Sequence, residues 1–517
     1  MAQILWVDDE IDLLKPYILF LETKGYDVLP AVDGNEALDI LAARSVDIMF
    51  LDENMPGLTG LEVLTMIKNR YPALPVIMIT KSEEEHIMEQ AIGSKISDYL
   101  IKPVNPNQIL LTLKKHLETK RLVSEQSTMN YRQEFNRIGL RMMENPDFEE
   151  WTEIYKKLVY WEIELAESND KSIFDILKQQ KTEANIQFSK YYERNYISWI
   201  KKGNEDVPLF SHRLLQKKVF PKLKEDKPSF LIVIDNFRFD QWKALQPMIE
   251  PYLHVEAEDL YYSIIPSTTQ FARNAIFAGL MPYDIKRTYP DLWLDEDEAG
   301  NKNQNEHLFL QKQLQRHNIN IKTTYHKVLN VTYGKRMIDN LLNLMNNKLN
   351  VIVYNFIDML SHARTESDLV RELAEDEKAY RSVTQTWFAH SPLLEVLKFL
   401  SDKDVNIFIT TDHGSVRVNK AVKIKATKEA SVNLRYKVGR LLDYNEKEVF
   451  AVGKPEDIFL PRLNILSPYI FARANDFFAY PNNYNHYVQY YKNTFQHGGI
   501  SMEEILIPFI HLVNKKN

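Results

Sequence analysis

Short apolar runs alternate with amphipathic stretches along the first 120 residues. QILWV (3–7), IMFL (48–51) and PVIMI (75–79) are unbroken apolar runs, and DYLIKP (98–103) follows a helix-like segment. A strand reads this way when helices cover both faces of a parallel sheet. Strands alternating with helices predict a doubly wound α/β fold whose ligand site lies outside the carboxyl ends of the strands. The acids fall at those ends. Asp8 and Asp9 close the first strand, Asp52 closes another, Thr80 a third, and Lys102 follows the last.

From 121 to 225 the pattern changes. Gly is almost absent, and Trp151, Ile154, Tyr155, Leu158 and Leu165 recur at helical spacing with Glu and Lys between them. This period predicts a helical bundle packing its own core, and is compatible with a connector that relays a signal or carries a dimer surface. From 226 the strand–helix alternation returns. FLIVID (230–235), VIVYNFID (351–358) and VNIFITTDHG (405–414) each carry an apolar run leading to a carboxylate. The domains are therefore 1–120, 121–225 and 226–517, the last a second α/β domain. Two segments interrupt it. WLDEDEAGNKNQNEH (293–307) is polar and expected to be mobile, and 415–440 holds eight Lys or Arg against the single acid Glu429.

Charge and composition narrow the chemistry. The 517 residues carry 64 Lys plus Arg against 71 Asp plus Glu, a net charge of -7. That disfavours a wholesale electrostatic grip on nucleic acid and leaves room only for a local basic groove. Cys is absent. Disulfides, thiolate metal sites and Cys nucleophiles are excluded, so any metal must sit on oxygen or imidazole. No charge-free apolar run approaches the roughly 18 residues of a membrane span, and MAQILWVDDE lacks the basic-then-apolar order of a leader. The expectation is a cytoplasmic protein without membrane insertion.

An acidic pair at one strand end and an Asp at its neighbour can hold one Mg²⁺ through oxygen ligands. That cation would offset an incoming phosphoryl group, which Asp52 can then attack as a carboxylate nucleophile. Lys102 supplies a point charge and Thr80 a hydroxyl for the phosphoryl oxygens. On VDDE (7–10), LDENMPGLTG (51–60), Thr80 and DYLIKP (98–103), residues 1–120 resemble a response-regulator receiver domain of CheY-like fold. The resemblance implies Asp52 as phosphoacceptor, Asp8, Asp9, Asp52 and the Asn54 carbonyl around Mg²⁺, and Thr80, Tyr99 and Lys102 as the switch. It also implies a sensor histidine kinase as phosphoryl donor and a phosphorylation-dependent homodimer.

The last domain offers the parts of a two-metal phosphoryl-transfer site, which needs oxygen and imidazole ligands around a nucleophile. Asp235 closes FLIVID. Asp358 and His362 are four apart, so a helical turn would put them on one face. Asp412 and His413 are adjacent at a strand end, and His497 lies in FQHGGIS, whose two glycines permit a tight loop. In PSTTQFARNAIFAGLMP (266–282), Thr268 or Thr269 sits just before a helical pattern, facing the positive end of its dipole. Its alkoxide on a metal is the candidate nucleophile, and Arg273, one turn later, a candidate phosphate clamp. His307, His326 and His390 fit no such spacing and read as ordinary histidines.

The order Asp, Thr, Asp-x-x-x-His, Asp-His, His resembles the alkaline phosphatase superfamily, and over 226–515 its PglZ branch. In related two-zinc phosphodiesterases the nucleophile Thr lies three residues after a Pro and ten before the Gly of G-L-x-P, a spacing met by Pro266, Thr269, Gly279, Leu280 and Pro282. The resemblance therefore selects Thr269. It assigns one metal to Asp358, His362 and His497, and the other to Asp235, Thr269, Asp412 and His413. His and Asp ligands without Cys favour two Zn²⁺, with Mn²⁺ left open. A receiver, a helical middle and a PglZ domain together resemble the PorX-type regulators of Bacteroidota, a family associated with control of type IX secretion. This implies a phosphorylation-controlled phosphodiesterase, and the basic segment favours a nucleotide substrate, a cyclic or linear oligonucleotide. The alternative is a signalling adaptor whose zinc domain binds a sigma factor or secretion component without turnover. Direct DNA binding is disfavoured, because no compact helix-turn-helix follows the receiver and the net charge is negative.

Overall fold

The computed structural model describes residues 2–515 apart from 73, 82–95, 167–170, 203–205, 367–370, 373, 428–429 and 464–466. The chain divides into two compact units, Met1–Asn130 and Tyr131–Asn517.

The first unit is built on a parallel sheet of β1 (Gln3–Val7), β2 (Asp27–Ala31), β3 (Ile48–Asp52), β4 (Val76–Thr80) and β5 (Asp98–Ile101), in the order β2-β1-β3-β4-β5. Alternate residues feed two apolar clusters, Leu5 and Val7 on one side, Ile4 and Trp6 on the other. That double burial is why β3 and β4 are apolar up to their last residues, Asp52 and Thr80. The turn after β3 is fixed by Gly60. A Cβ there would lie 2.4 Å from the Asp52 carbonyl oxygen, so only glycine lets the helix Gly60–Arg70 start this close to the strand.

The second unit carries a six-stranded mixed sheet of β6 (Ser229–Ile234), β7 (Leu253–Tyr262), β8 (Thr323–Val328), β9 (Leu349–Tyr354), β10 (Asn406–Thr410) and β11 (Leu506–Asn514). The order is β7-β11-β10-β6-β9-β8, with β10, β6, β9 and β8 parallel and β11 antiparallel to both neighbours. Three adjacent parallel strands, β10, β6 and β9, thus end side by side, and the carboxylates that follow them meet there.

Three sequence expectations change. The middle segment does not close a core of its own. Trp151, Ile154, Tyr155, Leu158 and Leu165 are buried, but in one cluster with Phe230, Ile232 and Phe239 of the sheet unit. Tyr155 packs on Phe239 with ring centroids 6.2 Å apart, and Tyr192 stacks on Tyr262 at 6.3 Å. Periodicity marks an apolar face and leaves open what covers it. Each such ring contributes about 2–3 kcal/mol of burial that the helices alone would not supply.

The polar segment 293–307 is held at several points. Tyr436 donates to the Glu296 carboxylate at 2.7 Å, and the Lys302 ammonium donates to the carbonyls of Asp295 and Glu298. The basic stretch 415–440 contributes short strands, Val416–Arg417 against Phe495–Gln496 and Lys420–Lys423 against Asp476–Ala479. Arg435 is buried against Glu504 at 2.6 Å, and buried Lys437 donates to the Ser431 carbonyl at 2.6 Å. Lys420 and Lys425 pair with Asp476 and Asp443 at 3.4 and 2.8 Å, and Lys428 lies outside the described residues. Among the described residues no helix is long and apolar enough to cross a membrane.

Candidate active site and phosphorylation site

At the ends of β1 and β3, Asp8, Asp9 and Asp52 bring carboxylate oxygens within 4.8 Å of one another. Asp8 and Asp52 are buried and Asp9 is exposed. The Glu10 N–H donates to Asp8 at 2.9 Å and fixes its carboxylate. Lys102 lies 2.8 Å from Asp8 and 2.9 Å from Asp52. Burial raises the Asp52 pKa. Lys102 opposes that, and Asp8 and Asp9 add to it. Three carboxylates against one ammonium form an oxygen-only donor set with excess negative charge, which suits a hard cation such as Mg²⁺. Thr80 donates to the buried Glu53 carboxylate, a partner the sequence reading missed. Tyr99 on β5 is 38% exposed, and the Asn54 side chain is exposed.

In the second unit one ligand set is fully enclosed. Asp235 follows β6, with its N–H donating to Tyr354 at the end of β9, and Asp412 and His413 follow β10. Their ligating atoms lie within 4.8 Å of one another, and His413 Nε2 is 3.7 Å from Asp235 and 3.8 Å from Asp412. His413 Nδ1 sits 3.1 Å from the Gly414 carbonyl oxygen, which can only accept. Nδ1 therefore carries a proton, and in its neutral form the ring presents the Nε2 lone pair to the site. The turn is possible because residue 414 is glycine. A Cβ there would meet the Glu503 carbonyl oxygen at 2.0 Å.

Thr269 opens the wide helical turn Thr269–Arg273, which runs into the helix Asn274–Ala278. Its hydroxyl lies 3.1 Å from His413 Nε2 and 3.2 Å from Asp235 Oδ1. The Thr268 hydroxyl is buried without a partner among the described residues, so Thr269 is the threonine that reaches the ligand set.

The second set is more open. Asp358 and His362 occupy one face of the helix Phe356–Glu366, 3.5 Å apart, and His497 Nε2 is 3.6 Å from the other Asp358 oxygen. The His497 ring stacks on His413 with centroids 4.3 Å apart, so the two sets share a wall. The His362 side chain is 63% exposed. Asn236, at φ +61°, lies between the sets. Its N–H donates to Asp412 and its amide to Asp358 and Ser361, at 3.4, 3.4 and 3.2 Å. Asn tolerates this left-handed backbone better than most residues, and its place directly after Asp235 was the only signal for it.

The electrostatics fit cation binding. Burial and the nearby Asp235 push Asp358 up to about 6, and the same two causes raise Asp412. Burial drives His497 well below its usual range, helped by His413 and His362. Burial also opposes the charge on Asp235 and on His413. Arg273 and His413 outweigh it at Asp235, and Asp412 and Asp235 outweigh it at His413, so the first is lowered and the second raised. Asp412 Oδ2 and His497 Nδ1 are buried without a hydrogen-bond partner. Crowded acids, imidazoles and orphaned donor atoms form sets that borderline divalent cations take.

Arg273 departs from the phosphate clamp expected of it. Its guanidinium is 1% exposed and donates to Asp235 at 2.7 Å and Glu306 at 2.6 Å. It holds a ligand instead of facing an open site. Glu306 lies 33 residues on and carried no sequence signal. A further acidic trio joins buried Glu162 and Asp240 to half-buried Glu377. It is already neutralised by Lys181, Arg238 and Arg381, at 2.7, 2.5 and 2.8 Å from their nearest acids among the trio.

Three family models match the chain. The BREX system PglZ alkaline phosphatase-like domain covers residues 214–512, the PorX response regulator linker domain 121–200, and the response regulator receiver domain 4–114. That order is the PorX-type architecture. Among curated relatives, the alkaline phosphatase synthesis transcriptional regulatory protein PhoP of Bacillus subtilis is 32% identical over 129 residues, 25% of this chain and 53% of PhoP. Response regulator SaeR of Staphylococcus epidermidis is 31% identical over 131 residues, 25% of this chain and 54% of SaeR. The chain thus spans about half the length of these relatives. The chemotaxis protein CheY4 of Vibrio cholerae is 32% identical over 23% of this chain and 99% of its own, with a TM-score of 0.22. TrrA of Thermotoga maritima is 29% identical over 23% of this chain and 100% of its own, with a TM-score of 0.21.

Proposed function

The chain belongs to the PglZ alkaline phosphatase-like family, in the receiver, linker and PglZ order of the PorX-type response regulators, and on that premise we propose that it is a phosphorylation-controlled, zinc-dependent phosphodiesterase. A sensor histidine kinase supplies the phosphoryl group that Asp52 accepts, and the output serves type IX secretion. The observation that carries the enzymatic reading is one hydroxyl, Thr269, reaching the enclosed ligand set while a second set shares its wall.

Two bound cations would lower the pKa of the hydroxyl and neutralise the phosphate oxygens. The chain's own residues then do the positioning. Asp235 accepts from the Thr269 hydroxyl, His413 Nε2 lies beside the same oxygen with its ring oriented by the Nδ1–H bond to Gly414, and Arg273 keeps Asp235 in place. Thr269 Oγ gives up its proton and forms a bond to phosphorus as one ester P–O bond breaks, and the leaving oxygen takes that proton up. Water later cleaves the phospho-Thr ester, restoring the hydroxyl and releasing the phosphate. A diester with several phosphates, such as a cyclic or linear oligonucleotide, remains the proposed substrate class, and phosphomonoesters are the nearest alternative.

The burial or pairing of Arg435, Lys437, Lys420 and Lys425 favours a second reading, an adaptor that binds a sigma factor or secretion component without turnover. Thr269→Val separates the two, with Thr268→Val as control. The enzymatic reading expects the first to lose diesterase turnover by about 10³-fold or more with zinc content and fold intact, and the second to keep most of it. Wild-type protein with both sites loaded and no turnover of any diester would leave the adaptor.

A further inference from the structure

The helix Lys171–Lys202 carries Lys181, Asn185, Ser189 and Glu193 at four-residue spacing, which is one face of a helix. This face is polar yet buried at its centre, with Asn185 1% and Ser189 0% exposed. Its partners lie in the segment that follows His497 and in the turn at Arg473 and Ala474. Lys181 pairs with Glu503 at 3.1 Å. Asn185 donates to Glu503 at 2.9 Å and accepts from the Met502 N–H at 2.7 Å. The Ser189 hydroxyl lies 2.8 Å from the Ile500 carbonyl oxygen and accepts from the Ala474 N–H at 3.0 Å. Glu193 pairs with Arg473 at 2.7 Å.

The same helix holds the approach to Thr269. The Tyr192 hydroxyl donates to the Ser263 carbonyl at 3.1 Å, and the Tyr196 hydroxyl accepts from the Ile265 N–H at 3.3 Å. The two loops are tied to each other through Ser267, which donates to the Gly499 carbonyl at 2.9 Å and accepts from the Gly498 N–H at 3.1 Å. The loop that carries His497 and the loop that carries Thr269 therefore hang on one helix.

We propose that this helix is the positioning element of the metal centre, with Asn185 and Ser189 as positioning residues for His497, so that its displacement acts on the Asp358, His362 and His497 site ahead of the enclosed one. The proposal rests on the two-cation reading and names the regulation of that site. Asp235 and Asp412 follow central strands and move only with the sheet. His497 follows only the two-residue strand Phe495–Gln496, which pairs with Val416–Arg417 outside that sheet, and the segment behind it is held by the polar face. Buried hydrogen bonds are directional, so a slide of one turn, about 5.4 Å, would break the whole row together and make the element two-state instead of elastic.

The test uses the full chain with Ser189→Ala, Ser189→Thr and Asn185→Leu. Zinc affinities of the two sites are measured against a competing chelator, and amide hydrogen exchange is followed in 495–504. Ser189→Ala and Asn185→Leu are expected to weaken the His497 site by about 10- to 100-fold, the range for supporting contacts behind a ligand, with the enclosed site within about twofold. Exchange in 495–504 should quicken while thermal unfolding shifts little, and Ser189→Thr, which keeps the hydroxyl, should behave as wild type. Equal weakening of both sites, or unchanged affinities with unchanged exchange, would overturn the proposal. Should Asn185→Leu fail to fold, Ser189→Ala carries the test. If the wild-type protein binds no zinc, the two-cation reading falls, and unchanged exchange in the Ser189→Ala variant would then sink the positioning role as well.

Discussion

Replacing Arg273 by Met asks whether its guanidinium is structural or catalytic. The side chain is enclosed, with Asp235 on one side and Glu306 on the other, at 2.7 and 2.6 Å, and both carboxylates are 1% exposed. Removing one partner of a buried ion pair strands the other, at about 3–5 kcal/mol. Some of that is recovered here. Glu306 keeps the Tyr325 hydroxyl and Lys327 at 3.4 Å, and Asp235 keeps Thr269 at 3.2 Å. Metal-free Arg273→Met is therefore expected near the lower end, about 3 kcal/mol, against a typical total of about 5–15 kcal/mol. With zinc bound the loss should shrink by roughly half, because a cation beside Asp235 replaces the charge that Arg273 supplied and the guanidinium no longer competes with it. Urea unfolding of variant and wild type, with zinc and with chelator, measures both differences. A metal-free loss below about 1 kcal/mol, with a raised KM as the only effect, would refute this argument and restore Arg273 as a phosphate clamp.

Three other outcomes are expected. Asp52→Asn should abolish the mass change that a small acyl-phosphate donor produces in wild type by light scattering, and an unchanged wild-type mass with Asp52 demonstrably phosphorylated would break the link between phosphorylation and dimerisation. Gly414→Ala places a Cβ 2.0 Å from the Glu503 carbonyl oxygen, so it should cost about 1–3 kcal/mol and loosen zinc at the enclosed site, seen by calorimetry. His511 is held at about 4 by burial, below its unfolded value near 6.5. Its neutral form is then the folded one, so stability present above pH 6.5 is lost as pH falls toward 4, and His511→Gln should flatten that loss in thermal melts.

The receiver was legible because its chemistry is local to strand ends. Asp8, Asp52 and Thr80 each follow a buried apolar run, and parallel strands align their carboxyl ends, so sequence order alone places them together. Asp235 and Asp412 were legible for the same reason, as was the one-turn pair Asp358 and His362. The residues between them were not. Glu306 reaches Arg273 from the start of the helix Glu306–Arg316, and Asn236 is polar without a pattern around it. Residue logic could not separate Thr268 from Thr269 either. Adjacent residues at a helix start point in different directions, and only the backbone path decides that the first hydroxyl is buried alone while the second meets His413.

Two of the readings that changed share a cause. Periodicity in 121–225 marks which residues are buried, and a charge count in 415–440 marks which are cationic, yet neither says what lies opposite. For the helices the opposite side is the sheet unit, so the apolar face closes a shared core and the polar face at Asn185 and Ser189 grips the segment after His497. For the cations it is acids and carbonyls of the same fold, which consume Arg435, Lys437, Lys420 and Lys425. Lys420 and Lys425 stay at the surface beside their acids, Lys423 and Arg440 are exposed, and Arg417 is half-buried. Lys423 already lies 4.8 Å from the centre of the Tyr484 ring, and Arg417 donates to the Asn493 carbonyl. With Lys420 and Lys425 offset by acids and Arg435 and Lys437 buried, the net positive charge this stretch presents is smaller than its count of cations suggests.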